Sequence, residues 1–200
     1  MKKKLGTVGI IVILVALLVM WVISLYNGLV QKDEAVASAW SQVENVYQRR
    51  ADLIPNLVST VKGAADFERT TLQEVVEARA SATQVKLSAD ELTEANVAKF
   101  QAAQDALSAS LGRLLVSVER YPELKATQNF SELQAQLEGT ENRIAVERQK
   151  FNETVKVYNT AIRRFPSNIF ASMFHFEKKG YFTAKEGADE APEVDFDFGK

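Results

Sequence analysis

The sequence predicts an all-α protein: one N-terminal transmembrane helix followed by an up-down bundle of four long helices. Three observations point there. An uncharged apolar run occupies residues 5 to 25. Beyond it proline and glycine are sparse, while Ala, Gln, Glu, Leu and Val, which favour helices, dominate. Finally, apolar residues recur every seventh position from Phe130 to Phe165.

The run "LGTVGIIVILVALLVMWVISL" forms a helix of roughly 30 Å at ~1.5 Å per residue, the thickness of a hydrocarbon core. A cleavable signal has an apolar core of only about 7–15 residues and small residues at its exit. Here the exit reads "WVISLYNG", and Trp21 and Tyr26 suit the far membrane interface instead. Lys2, Lys3 and Lys4 precede the run, whereas Lys32, Asp33 and Glu34 beyond it are of mixed sign. The positive-inside rule therefore places the N-terminus in the cytoplasm and the body outside it. The expected domains are a cytoplasmic N-terminus at 1–4, a transmembrane helix at 5–25, an extracytoplasmic helical bundle at 26–183 and an acidic disordered tail at 184–200. That tail sets Lys185 and Lys200 against six acids.

The stretch "RRADLIPNLV" interrupts the first helical pattern of the body. As one helix, residues 27 to 84 would span roughly 85 Å, far longer than the later helices at roughly 50 Å each. Two helices meeting near Asp52 match those lengths better, with Asp52 as cap and Pro55 in the first turn. A kinked single helix is the alternative, because the stripe keeps its phase across the break. Arg49 and Arg50 would lie at the hairpin tip, either as solvated charges or with one paired to Glu119, Glu138 or Glu141 to set register. Ser88 with Glu91, and Asn129 with Glu132, have capping-box spacing and are expected to open the third and fourth helices. Pro166 should stop the last one. Its stripe comprises Phe130, Leu137, Ile144, Phe151, Tyr158 and Phe165, flanked by Leu133, Val155 and Ile162. The third helix carries Leu107, Leu111, Leu114, Leu115 and Val118.

After Phe165 comes "FPSNIFASMFHFEKKGYF". Ile169, Phe170, Met173 and Phe174 form one apolar face of a short helix, followed by Lys178 and Lys179. Returning to the level where the bundle began, these residues either plug its open end, the favoured reading, or rest at the membrane interface.

Catalytic chemistry is hard to assemble from this chain. There is no cysteine, and His175 is the only histidine, so HExxH zinc motifs and paired ExxH di-iron motifs are excluded. No phosphate loop, GxSxG elbow or dinucleotide fingerprint occurs. Pairs such as Glu74 with Glu77, or Glu138 with Glu141, read as solvated helix faces. No catalytic, metal or cofactor residues are expected, and a net charge of −2 gives no reason for a nucleic-acid partner.

Several blocks together resemble the bacterial LemA family: "YNGLV" at 26 to 30, "AWSQV" at 39 to 43, "RRADLIPNLVSTVKG" at 49 to 63, "LGRLLVSVERYPELKATQNFSELQAQLEGTENRIAVERQKFNETVKVYN" at 111 to 159, and "FPSNIFA" at 165 to 171. The departure is "VKGAADFE", with Phe67 where the family would admit a histidine. The resemblance implies a bacterial envelope protein with a LemA-type helical bundle and no recognised enzymatic activity. Taken with the apolar run and the lysines before it, the expected place is the bacterial cytoplasmic (inner) membrane, single-pass, with a periplasmic bundle. Two functions fit it. One is a non-catalytic scaffold or adaptor that presents helix faces to envelope proteins or to its own copies, with membrane lipid as a further partner. The other is an extracytoplasmic ligand-binding or sensor input acting through a partner membrane protein, the small molecule being unspecified. With only Met1 to Lys4 inside, a sensor would need that partner for its output.

Overall fold

The computed structural model describes residues 2–63 and 68–184, with side chains from Gly9 onward. Among the described residues every regular element is helical: α1 (Lys2–Lys62), α2 (Arg69–Gln84), α3 (Glu94–Val118), α4 (Pro122–Lys125), α5 (Gln128–Arg163) and α6 (Ser167–Met173). The acidic tail from 185 onward and Phe67 lie outside the described residues.

The first helix does not turn at Asp52. It continues from the apolar run into the bundle, with Pro55 inside it. A proline there removes the N–H that would bond the carbonyl of Ala51, four residues back. That carbonyl instead accepts from Arg79 Nε of α2 at 2.7 Å. A side chain from the neighbouring helix thus fills the gap in the ladder, and the helix survives its proline. Asp52 caps nothing; it accepts from Gln48 Nε2 one turn earlier, at 2.7 Å on the exposed face. The real stop comes at Lys62, a basic residue in the last turn, followed by Gly63. From Leu29 to Lys62 the bundle part of α1 is therefore roughly 50 Å long. This is close to the roughly 54 Å of α5, with the turn about ten residues later than expected. However, α2 (16 residues) and α3 (25 residues) are shorter, roughly 24 and roughly 38 Å, so the four lengths do not match.

Other boundaries also shift. The Ser88 and Glu91 box forms, but it closes only the 3-10 turn Ala89–Glu91. Helix α3 is opened by Thr93, whose hydroxyl accepts from the Asn96 N–H at 3.3 Å. Similarly α5 starts after Thr127 rather than Asn129.

The four long helices run up, down, up and down. Residues early in α1 (Leu29 to Tyr47) pack with the start of α3 (Val97, Phe100) and the end of α5 (Ile144 to Ile162). Residues late in α1 (Ile54 to Val61) pack with α2, with the end of α3 (Leu107 to Val118) and with the start of α5 (Phe130, Leu137). The heptad stripe of α5 is buried from Phe130 through Tyr158. Phe165 is not part of it: α5 ends at Arg163, and Phe165 stands 82% exposed.

Candidate functional site

Two regions concentrate the polar and aromatic contacts that packing alone does not require. The first is a layer between the two apolar clusters. Arg50 of α1 is 1% exposed. Its Nη1 donates to Ser108 Oγ at 2.7 Å and to Glu141 Oε1 at 2.8 Å, while Nη2 donates to Gln104 Oε1 at 2.6 Å and Gln104 O at 3.2 Å. The guanidinium also lies 5.0 Å from the Tyr47 ring centre. Gln104 Nε2 continues the chain to the Ala82 carbonyl at 3.2 Å. One arginine therefore links α1, α3 and α5 directly and α2 through Gln104. Burial pushes the Tyr47 phenol up, against the pull of Arg148 and Arg50, so it stays protonated. Arg49, one residue earlier, remains on the exposed face.

The second region is the end of the bundle where the apolar run leaves it. Helix α6 packs on α1, placing Phe170 edge-on to Trp21 at 6.1 Å and Phe174 against Tyr26 at 4.9 Å. Ile169 and Met173 face outward, 51% and 61% exposed, and Phe174 is 44% exposed. The structure thus brings together Trp21, Tyr26, Phe170 and Phe174, but it does not use this face as a plug. Phe176 meets Tyr26 at 5.9 Å, and the chain beyond it fills the core further in. Phe182 packs on Phe151 at 5.5 Å and Trp40 at 6.0 Å, roughly 20 Å along α1 from Tyr26 at ~1.5 Å per residue. Lys178 is exposed and reaches Glu94 at 3.5 Å. Lys179 departs from the sequence reading: it turns inward, to the Ala89 carbonyl at 3.0 Å and Asp33 at 3.3 Å, and cannot face headgroups. Its partner Asp33, together with burial as the larger cause, keeps the nearby Tyr158 phenol raised and protonated. The Tyr158 hydroxyl donates to the Glu177 carbonyl at 3.0 Å.

The chain after α6 is an extended strap, and amide side chains clasp it. Asn159 bonds both the N–H and the carbonyl of Lys179, at 3.0 and 2.9 Å. Asn152 does the same for Phe182 at 2.9 and 2.8 Å, and Gln101 for Thr183 at 3.0 Å each. These clasps replace the ladder a lone extended segment lacks. Sequence reasoning missed all three. The signal was there: Asn152 and Asn159, weak helix formers, follow Phe151 and Tyr158 one heptad apart. The strap turns out of α6 through His175, at φ 60°, with the Phe176 N–H bonded to the Ala171 carbonyl at 2.9 Å. This is the left-handed C-terminal motif usually given to glycine.

Neither region assembles a nucleophile with a base; both brace helices and orient the apolar end. Residues 39–196 match the family model described as the LemA family. Among curated relatives, the chain is 26% identical over 181 residues to "Magnetosome protein MamQ" of Magnetospirillum gryphiswaldense, covering 82% of this chain and 66% of the relative. It is 22% identical over 160 residues to "Protein LemA" of Metamycoplasma hominis, covering 80% of this chain and 69% of the relative. The chain thus spans only about two thirds of the length of the magnetosome relatives, 66%.

Proposed function

The chain belongs to the LemA family, and from that premise we propose that it is a membrane-anchored, non-catalytic scaffold or adaptor of the bacterial envelope. The observation that carries this reading is the continuity of α1. One helix includes both the uncovered apolar run and a core stripe, Leu29 to Val61, that runs through both apolar clusters of the bundle. A span joined to a bundle by a flexible linker would let the bundle tumble; a continuous helix holds its faces at a fixed attitude to the bilayer. The Arg50 layer then fixes the other helices against that stem. Apolar side chains left outside, such as Val146 at 48% and Val157 at 56% exposed, offer faces to a protein partner or to a second copy. Lysines before the span favour a cytoplasmic N-terminus, with the bundle on the periplasmic side of the inner membrane.

Crosslinking in intact membranes, followed by purification of the full chain, tests the role. A single recurrent protein adduct, or an adduct of the chain with itself, supports the scaffold. A copurifying small molecule without any adduct supports the ligand-binding alternative, which has its own feature: an open cleft of about 360 Å³ bordered by Glu44, Tyr47, Lys86, Phe100 and Gln104. Orientation is tested separately. The chain lacks cysteine, so Ser131→Cys supplies one exposed thiol. Labelling by a membrane-impermeant reagent in spheroplasts fits the proposed topology, and labelling only after lysis reverses it.

A further inference from the structure

We propose that α6 and its flanks form an interfacial collar, lying in the outer headgroup and upper acyl region of the bilayer beside the membrane span. This rests on the span crossing a bilayer and is independent of the scaffold role. The height of α6 follows from its contacts. Phe170 meets Trp21, which lies four residues before the end of the apolar run at Leu25, about 6 Å inside it at ~1.5 Å per residue. Tyr26, one residue past the run, meets Phe174 and Phe176. A short helix seated between those two levels is at the boundary where acyl chains give way to headgroups.

Its outward chemistry suits that boundary and no aqueous one. Phe165, Ile169, Met173 and Phe174 are 82%, 51%, 61% and 44% exposed, a concentration of large apolar side chains within ten residues of chain. Scattered exposed apolar residues are ordinary on protein surfaces, but a contiguous cluster marks an interaction site. The patch meets the apolar run through Trp21 and Tyr26, which touch Phe170 and Phe174 and are themselves 46% and 39% exposed, so whatever covers the span at this level also meets α6. Lipid is that occupant. Arg163 and Arg164, both exposed and adjoining Phe165 in the chain, supply the cations that anionic headgroups attract. Phe170, only partly exposed, is the inward anchor that fixes the collar to the stem.

The test uses the full chain in vesicles of phosphatidylcholine and phosphatidylglycerol, with single cysteines carrying an environment-sensitive fluorophore at Val15, Met173 or Val116. These are exposed positions in the span, in the collar and at the remote end of α3. Quenching by brominated lipid is compared with quenching by aqueous iodide. The collar requires Met173 to be quenched by lipid severalfold more than Val116 and to be sheltered from iodide. If Val15 is lipid-quenched while Met173 behaves like Val116, the collar is wrong and the anchor stands. If Val15 is not lipid-quenched, the anchor itself fails, and the collar with it. A Met173 label shielded from both quenchers would place protein, such as a second copy, on the patch and overturn the lipid assignment.

Discussion

The contact between Arg79 and the Ala51 carbonyl gives a quantitative test of how α1 passes its proline. Ala51 is 4% exposed, so water has little access to a carbonyl that Pro55 cannot serve. Arg79→Met keeps most of the side-chain stem and removes the donor. A hydrogen bond from a charged donor contributes about 1.5–3 kcal/mol, and the loss here should fall in that range. Pro55 is itself exposed, so Pro55→Ala sacrifices little packing. It also restores an N–H one turn after Ala51. An interior proline costs about 3 kcal/mol relative to alanine, but part of that penalty is already offset by Arg79. The single change should therefore stabilise by about 1–2 kcal/mol.

The informative quantity is the coupling. In the Pro55→Ala background the carbonyl has an intrahelical partner, and Arg79→Met should then cost less than about 1 kcal/mol. A coupling of about 1–2 kcal/mol is expected from the double-mutant cycle, read by denaturant unfolding of the full chain in detergent with far-ultraviolet circular dichroism. Equal costs of Arg79→Met in both backgrounds would refute the reasoning. Arg79 would then stabilise through packing or charge, and the continuity of α1 across Pro55 would need another cause.

Other outcomes follow from the same geometry. Arg50→Met strands Gln104 Oε1 while leaving Glu141, which is 44% exposed, free to hydrate; unfolding measurements should show a loss of about 1–3 kcal/mol, larger than that from Glu141→Gln. His175→Gly should raise stability by up to about 1 kcal/mol in the same assay, because glycine takes a positive φ without strain. Gly180→Ala would put a Cβ 2.7 Å from the Glu94 Cα, so the strap must shift; amide exchange at Lys179, Gly180 and Phe182 should speed up while α1 and α5 keep their protection. Glu91, held below its ordinary value of 4.5 by the Ser88 N–H and hydroxyl, stabilises its turn above the unfolded pKa and loses that contribution as pH falls through the lowered folded one. Melting temperatures of the chain and of Glu91→Gln should differ at neutral pH and converge in acid.

How much of this was legible in the sequence depended on whether the deciding partner was local. The apolar run and the α5 stripe each rest on a pattern within one segment, and the heptad from Phe130 to Tyr158 is buried as its period requires. Pro55 misled because its local chemistry says break, while its compensation sits on another helix at Arg79. Proline within a helical pattern is weak evidence of a turn when an arginine can reach the orphan carbonyl; Lys62 followed by Gly63 was the better stop. Ser88 failed differently. Its box forms as the spacing says, yet one residue pattern cannot tell a 3-10 turn from the start of a long helix, and Thr93 was equally qualified.

The same distinction explains the polar residues inside the bundle. A buried arginine is costly to desolvate, and replacing such groups by apolar ones often stabilises a protein. An apolar Arg50 layer would let α1 slide against α5 by a heptad with little change in packing, since both stripes repeat. Arg50 removes that freedom: its fork must find Gln104, Ser108 and Glu141 at one height, and a shift of one heptad, about 10 Å, separates them. Register in the bundle determines where α5 ends, and hence where α6 meets the stem. Sequence alone named Arg50 and Glu141 as possible partners but offered Glu119 and Glu138 equally, because helix spacing fixes faces and leaves heights open. The height is settled by three-dimensional packing, and it is what brings Phe170 to Trp21 near the end of the apolar run.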